Sequence, residues 1–185
     1  MDKVKFGIKN VHFFPMTADT PVYGDVIPVP GTVSLSLDAQ AEINKFYADN
    51  IVYYQTSANN GYEGDLQIAN IPEAVMTEIL DFVKDENGVI TEMSNAHPKA
   101  FAMSFEEEGD TTGTKFVLYN VTLTKPSRSY NTVEESKTPT TQTLKLSAVP
   151  LKDGKVMAMS SDDDEKPTSP EVLTAWHEGV YGYTN

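Results

Sequence analysis

Three histidines and no cysteine are all that the 185 residues offer as imidazole or thiolate metal ligands. His12, His97 and His177 lie far apart and fit no HExxH spacing, so a zinc site would need carboxylates brought in by the fold. The missing cysteines also remove thiol catalysis, iron–sulfur clusters and disulfide frameworks. Asp162-Asp163-Asp164-Glu165 has the acidity of a calcium loop, but Lys166 takes the fifth position, no Gly follows at the sixth and no Glu closes the twelfth. It reads as a solvated loop. Gly109-Asp110-Thr111-Thr112-Gly113-Thr114-Lys115 echoes a phosphate loop with one residue too few between its glycines, and a Thr separates the second Gly from the Lys. It runs from one strand pattern into another and reads as a hairpin loop. Glu106-Glu107-Glu108 sits at a strand end, where consecutive acids form a charged rim and do not span a sugar ring as a glycosidase pair must. No G-x-S-x-G elbow occurs, and spacing singles out no Ser, His and Asp set. The expectation is a protein that is not an enzyme, with no catalytic, cofactor-binding or metal residue to assign and no cofactor.

The charge balance narrows the partners. Asp and Glu number 27 against 14 Lys and Arg, giving a net charge of −13. Phosphate-gripping surfaces need the opposite sign, because non-specific nucleic-acid affinity comes from Lys and Arg displacing counterions. The longest apolar runs, such as Ile51 to Tyr54, are four residues, whereas a spanning helix needs about 20. The start, Met1-Asp2-Lys3-Val4-Lys5, lacks an apolar signal segment, so synthesis in the cytosol without export is expected, and the Asn120-Val121-Thr122 sequon would never meet a glycosyltransferase. Hydrophobic content of 39% is too high for an acidic disordered chain, and the length suits one domain over residues 1–185.

The elements that must position any site are mostly strands. Val4, Phe6 and Ile8 alternate with polar residues, and the apolar phase then moves to Val11 and Phe13, which predicts a strand with a bulge near Lys9-Asn10. The same period of two recurs in Val33 to Leu37, Tyr62 to Ile68, Phe101 to Phe105, Val117 to Leu123 and Leu144 to Ala148. Asn60-Gly61, Asn87-Gly88 and Asp153-Gly154 are tight-turn dipeptides, and the last predicts a hairpin joining the Leu144 run to the Val156 run. Two segments read as helices. Asn70-Ile71-Pro72-Glu73 opens one that carries Val75, Ile79, Phe82 and Val83 on one face through to Lys84. Ser169-Pro170-Glu171 opens the other, with Val172, Leu173 and Trp176 as its buried stripe and Gly179 as its stop. Long loops are expected near residues 15–30, 47–61, 126–139 and 160–167, with 126–139 and 160–167 among the most mobile in a free subunit.

One ordered set of segments goes further. Phe6-Gly7-Ile8-Lys9-Asn10-Val11, Val29-Pro30-Gly31-Thr32-Val33-Ser34-Leu35-Ser36-Leu37, Asn44-Lys45-Phe46-Tyr47-Ala48-Asp49-Asn50 and Asn59-Asn60-Gly61-Tyr62-Glu63-Gly64-Asp65-Leu66 open it. Ile71-Pro72, Asn87-Gly88-Val89, Pro98-Lys99-Ala100-Phe101-Ala102, Val117-Leu118-Tyr119-Asn120-Val121-Thr122, Pro126-Ser127, Ala175-Trp176 and Val180-Tyr181 continue it in order. Together they closely resemble the major tail proteins of long-tailed, non-contractile bacteriophages of Gram-positive hosts, the phi13-like family, along essentially the whole chain. The resemblance implies a mainly β fold, a β-sandwich or barrel with one flanking helix and a short C-terminal helix, similar to type VI secretion tube proteins. It implies a structural virion protein, made in the bacterial cytoplasm and located in the tail. Six copies would close into a ring around a lumen, and stacked rings would form the tail tube that conducts DNA during ejection. The partners implied are further copies of the chain and other tail proteins at the shaft ends. DNA would pass without specific binding, and no membrane or small-molecule substrate is involved.

Within that frame the acidity acquires a use, since six copies of a −13 chain carry 78 net negative charges and an acidic lumen repels phosphate. Asp38, Glu42, Asp49, Glu63 and Asp65 are the lumen-facing candidates; the alternative is that the acids are spread evenly and serve solubility only. Tyr47, Tyr53 and Tyr54 are the candidates for ring-to-ring contact, because aromatic anchors dominate such interfaces. The alternative is that they pack inside their own subunit. A carbohydrate- or receptor-binding β-sandwich module of a phage tail or cell surface competes with the tube reading, and would suit the Tyr and Asn content of the loops.

Overall fold

A computed structural model describes residues 7–17, 21–109, 113–127, 140–163 and 165–183. The described chain is mainly β. Its strands are β1 (Gly7–Pro15), β2 (Ile27–Pro28), β3 (Thr32–Leu35), β4 (Asp38–Ala48), β5 (Ile51–Ile68), β6 (Val83–Lys84), β7 (Ile90–Thr91), β8 (Phe101–Glu108), β9 (Lys115–Leu123), β10 (Gln142–Ala148) and β11 (Met157–Met159). A π-helical turn covers Val75–Ile79, and the C-terminal helix α1 covers Pro170–Ala175. Nine strands form one antiparallel sheet in the order β2-β1-β8-β9-β10-β5-β3, with β11 also on β9 and β4 also on β5. The short chain from β2 to β3 joins the ends of this order: the Val29 N–H donates to the Val11 carbonyl at 2.9 Å, and the Ala69 N–H donates to the Gly31 carbonyl at 2.8 Å. The sheet thereby curls towards a barrel.

Each side of the curled sheet has its own apolar cluster, as alternation requires. Inside lie Val11, Phe13, Leu66, Ile68, Phe101, Met103, Leu118, Val121, Leu144 and Leu146, closed off by Ile71, Val75, Ile79 and Leu80 from the π-helical segment. Outside, Phe14, Ala102, Val117 and Tyr119 are covered by Tyr23, Leu151, Trp176 and Val180. Two buried polar hydrogens anchor this cover, the Tyr23 hydroxyl on the Tyr119 carbonyl at 2.8 Å and the Trp176 indole N–H on the Phe116 carbonyl at 3.1 Å.

The bulge expected near Lys9-Asn10 is present: the β1–β8 register shifts between Lys9 and His12, and Asn10 takes φ 53°. Other expectations need correction. The helix read over residues 70–84 is only the π-helical turn, because Asp81 adopts φ 61° and ends it. Phe82 then turns inward and Val83, placed on the helical face by periodicity, is an exposed residue of β6. β6 and β7 pair with each other across the Asn87-Gly88 turn. The C-terminal helix leaves Val172 and Leu173 half-buried, and only Trp176 of the expected stripe is buried. The Asp153-Gly154 turn does not join a hairpin. β10 and β11 both run antiparallel to β9 on the same edge, with Ala148 opposite Val121 and Met157 opposite Leu118. They are two pieces of one strand line, interrupted by an excursion whose tight turn places the Gly154 N–H on the Leu151 carbonyl at 2.8 Å.

The largest correction concerns residues 47–61, expected as a loop. They are strand. β4 and β5 form one long hairpin whose turn is Asp49-Asn50, with φ 52° and 62°, a pair of left-handed residues suited to a two-residue turn. Asn60-Gly61 lies mid-strand. There β5 carries one residue more than β4, since Ala39 faces Tyr62 while Ala41 faces Asn59. A Cβ on Gly61 would meet the Ala148 carbonyl oxygen at 1.9 Å, and one on Gly64 would meet the Ser36 carbonyl oxygen at 1.9 Å. These glycines let neighbouring backbones close on the hairpin's root, so they are spacing devices and not turn formers. Of the other expected loops, 15–30 contains β2 and a bridge from Met16 to Tyr23. Most of 126–139 lies outside the described residues, namely 128–139. Residues 160–167 carry their own hydrogen bonds, including the Ser161 N–H to the Thr168 hydroxyl at 2.8 Å and the Glu165 N–H to Asp163 at 2.9 Å.

Candidate assembly surface

The hairpin of β4 and β5 leaves the sheet as a two-stranded arm. Every described side chain from Ala41 to Asn60 is exposed except the half-buried Ala48. Along eleven residues of β4 at about 3.3 Å each, the arm runs roughly 35 Å. Among the described residues β4 pairs only with β5, and β10 and β3 reach β5 no further out than Tyr62 and Leu66, so the arm has two open edges. An isolated two-stranded ribbon is marginal in water. Natural proteins blunt such edges with charge, yet Glu42, Lys45 and Asp49 are the only charged residues between 39 and 60.

What the arm presents is apolar. Tyr47, Tyr53 and Tyr54 are 61%, 74% and 63% exposed, which overturns the alternative that they pack inside their own subunit. The fold adds Ile43, Phe46, Ile51 and Val52, which sequence reasoning passed over although Ile51 to Tyr54 stood out as an apolar run. Strand pairing would have revealed Ile43 and Phe46, since Phe46 faces Tyr54 and Ile43 faces Ser57.

The acidic candidates fall into two places. Asp38 faces Glu63 across β4 and β5, and Asp65 faces Lys145 across β5 and β10. Asp38, Glu63 and Asp65 line one open depression with Gln40, Thr122 and Thr124. Glu42, two alternations along from Asp38, is on the same side of β4. Asp49 is apart, at the tip of the arm. Among the described residues no group of three or more His, Asp or Glu is arranged to hold a metal ion.

A third constellation was invisible in the sequence. On the covered side of β8, Ser104 Oγ lies 2.9 Å from His177 Nδ1, and His177 Nε2 lies 3.8 Å from Glu106 Oε2. The order Ser, His, Glu is that of a hydrolase triad. Its serine, however, has no exposed surface and so cannot meet a substrate. Glu106 is gripped by Lys9 at 3.1 Å, by the Asn10 amide at 3.0 Å and by Lys115 at 3.8 Å. Burial pushes its pKa up, but the Asn10 and Lys9 hydrogen bonds and the Lys115 charge outweigh that and leave it below the ordinary carboxylate value. Burial lowers the His177 imidazole to about 4, helped by Lys115 and His12. His12 stacks on it with ring centroids 4.9 Å apart. The cluster ties the C-terminal segment to β1 and β8. No protein-family model and no curated protein matches the sequence.

Proposed function

We propose that the chain is a tail tube subunit of a long-tailed, non-contractile bacteriophage, a structural virion protein that assembles into stacked rings around a DNA-conducting lumen. The observation that carries the reading is the arm: a sparsely charged, aromatic, two-edged ribbon is poorly suited to a lone subunit and well suited to a neighbour that pairs or packs with it. In this reading Tyr47, Tyr53 and Tyr54 act with Phe46 as anchors between copies. The side of the sheet bearing Asp38, Glu42, Glu63 and Asp65 lines the channel, where negative potential keeps the DNA backbone from adhering. Asp49, at the arm tip, belongs with the contacts between copies and not with the lining. The ordered resemblance along the chain supports the same reading.

Electron microscopy of the concentrated protein in negative stain tests it. Rings or tubes of uniform width with a central hole are expected. A monomer at every concentration that instead binds immobilised glycans would replace this reading with the receptor-binding one.

A further inference from the structure

At the mouth of the curled sheet, beside the root of the arm, the main core opens to solvent. Ile8, Leu35, Leu37, Tyr62, Phe116 and Met157 are half-buried there around a groove of about 470 Å³. Its floor includes Phe105, stacked on Phe116 with centroids 5.1 Å apart. Apolar side chains gathered at one opening form a patch of the kind that marks a binding surface. Glu107 lines it as well.

The chain carries a fitting occupant that it cannot deliver to itself. Ile43, Lys45 and Tyr47 alternate onto one side of β4, and Val52 stands opposite Tyr47 on β5. That side is therefore two apolar groups flanking the arm's only cation. The groove is likewise apolar with an acid in its lining. Leu37 and Tyr62 belong to both the groove and the root of the arm, and Tyr47 is nine residues beyond Asp38, roughly 30 Å further out. An extended strand of that length carries Tyr47 out of reach of its own copy's groove. We infer that the Ile43, Lys45 and Tyr47 side of one copy's arm seats in the mouth groove of a second copy, with Tyr47 entering among Leu35, Phe116 and Met157 and Lys45 facing Glu107. This rests on the assembly reading and names its acceptor surface.

The seated side of the arm brings Tyr47, Ile43 and Val52, 61%, 58% and 45% exposed, on the order of 300 Å² of surface to cover. Phe46 and Tyr54 face each other on the opposite side of the ribbon and are left for a further copy, so that the two sides together approach the ~800 Å² per partner of an ordinary stable interface. Arm and groove are different surfaces, so the contact is head-to-tail. Such a contact closes into a ring when its rotation allows and otherwise propagates.

Because the chain has no cysteine, introduced thiols report the contact cleanly. Tyr47→Cys with Met157→Cys in the full-length protein should give, on mild oxidation, a ladder of disulfide-linked dimers, trimers and higher species. Two further variants isolate the two surfaces. Tyr47→Glu blocks the arm and Met157→Glu or Leu35→Glu blocks the groove, each checked for an unchanged melting transition. Each alone should associate at least roughly a hundredfold more weakly than the parent, since a charge is forced into an apolar contact. Mixed, the two should restore association and stop at a one-to-one dimer, with one intact arm in one intact groove. If Tyr47→Glu loses association, the groove variants keep it and no ladder forms, the groove is not the acceptor while the assembly reading stands. A ladder without tubes by microscopy would keep the arm-to-groove contact and remove the tube. Retention in the groove of a small apolar molecule, seen by native mass spectrometry, would overturn the inference.

Discussion

Phe46 and Tyr54 face one another across the β4–β5 ladder with 62% and 63% of their surfaces in solvent. Cross-strand aromatic pairs hold a ribbon together, contributing roughly 0.2–1 kcal/mol. Here the rings also remain available to another surface, so fold stability and association can be separated by mutation. Replacing both with Ser should lower the stability of the subunit by no more than about 1 kcal/mol, while association, followed by sedimentation velocity, should be lost. Tyr53→Ala, at the most exposed of the three tyrosines, should act in the same direction. Tubes of normal length and heat resistance from Tyr53→Ala protein would remove it from the interface.

At the root of the arm the opposite pattern is expected. A Cβ on Gly64 would stand 1.9 Å from the Ser36 carbonyl oxygen, a backbone atom that cannot swing aside. Gly64→Ala should therefore separate β3 from β5 and cost about 3 kcal/mol or more by urea unfolding. Gly154→Ala is the control: nothing lies within 4 Å, and only its φ of +86° resists, for about 1 kcal/mol. Equal losses at the two positions would show that the close approach at Gly64 is relieved by a small shift.

These glycines also show what the sequence could and could not say. Alternation alone located the cores of β1, β5, β8, β9 and β10, and the phase change at Lys9-Asn10 located a bulge, because a strand with one wet face writes its period directly. The arm was hidden for the same reason. With both sides in solvent, Ala41 to Asn60 has no buried side to set a period, and Asn60-Gly61 offered a stronger turn signal than Asp49-Asn50. The helix over residues 70–84 was overread because Phe82 continues the stripe of Val75 and Ile79 after Asp81 has already ended the turn. Of the site, the exposed tyrosines and the acids of β4 and β5 were legible as residue types. The meeting of Ser104 with His177, 73 residues apart, is a product of tertiary docking that spacing does not encode.

That docking carries a pH signature. Burial lowers the His177 imidazole from 6.5 to about 4 in the folded protein. In the unfolded chain it protonates near pH 6.5, so between these values the unfolded state binds more protons and stability must fall as the pH falls. The contribution is complete above pH 6.5 and gone below about 4. Allowing for partial exposure, the expected loss is about 2 kcal/mol. Glu106, whose pKa lies below its ordinary value, adds a loss only in more acidic solution, so unfolding measured from pH 7 to pH 5 isolates the histidine. His177→Gln should flatten that slope; an unchanged slope would place the titration elsewhere.

The acidic side of the sheet gives the most direct test of the conduit. Asp38, Glu63 and Asp65 surround one depression, and each reversal to Lys adds two charges, taking the subunit from −13 to −7. These side chains are exposed, so the triple variant should fold and assemble as the parent does, with stability changed by no more than about 1 kcal/mol. Its tubes should retain double-stranded DNA at low salt, where parent tubes retain none. The retention should fall steeply with added salt, at close to one unit of logarithmic slope for each phosphate engaged. The same three reversals on the outer wall of a tube would also attract DNA, so location must be read separately. Nuclease protection does this: DNA held inside survives digestion and DNA held outside does not. Assembled variant tubes whose DNA is fully digested would move Asp38, Glu63 and Asp65 to the exterior and leave the lumen to be lined by other residues.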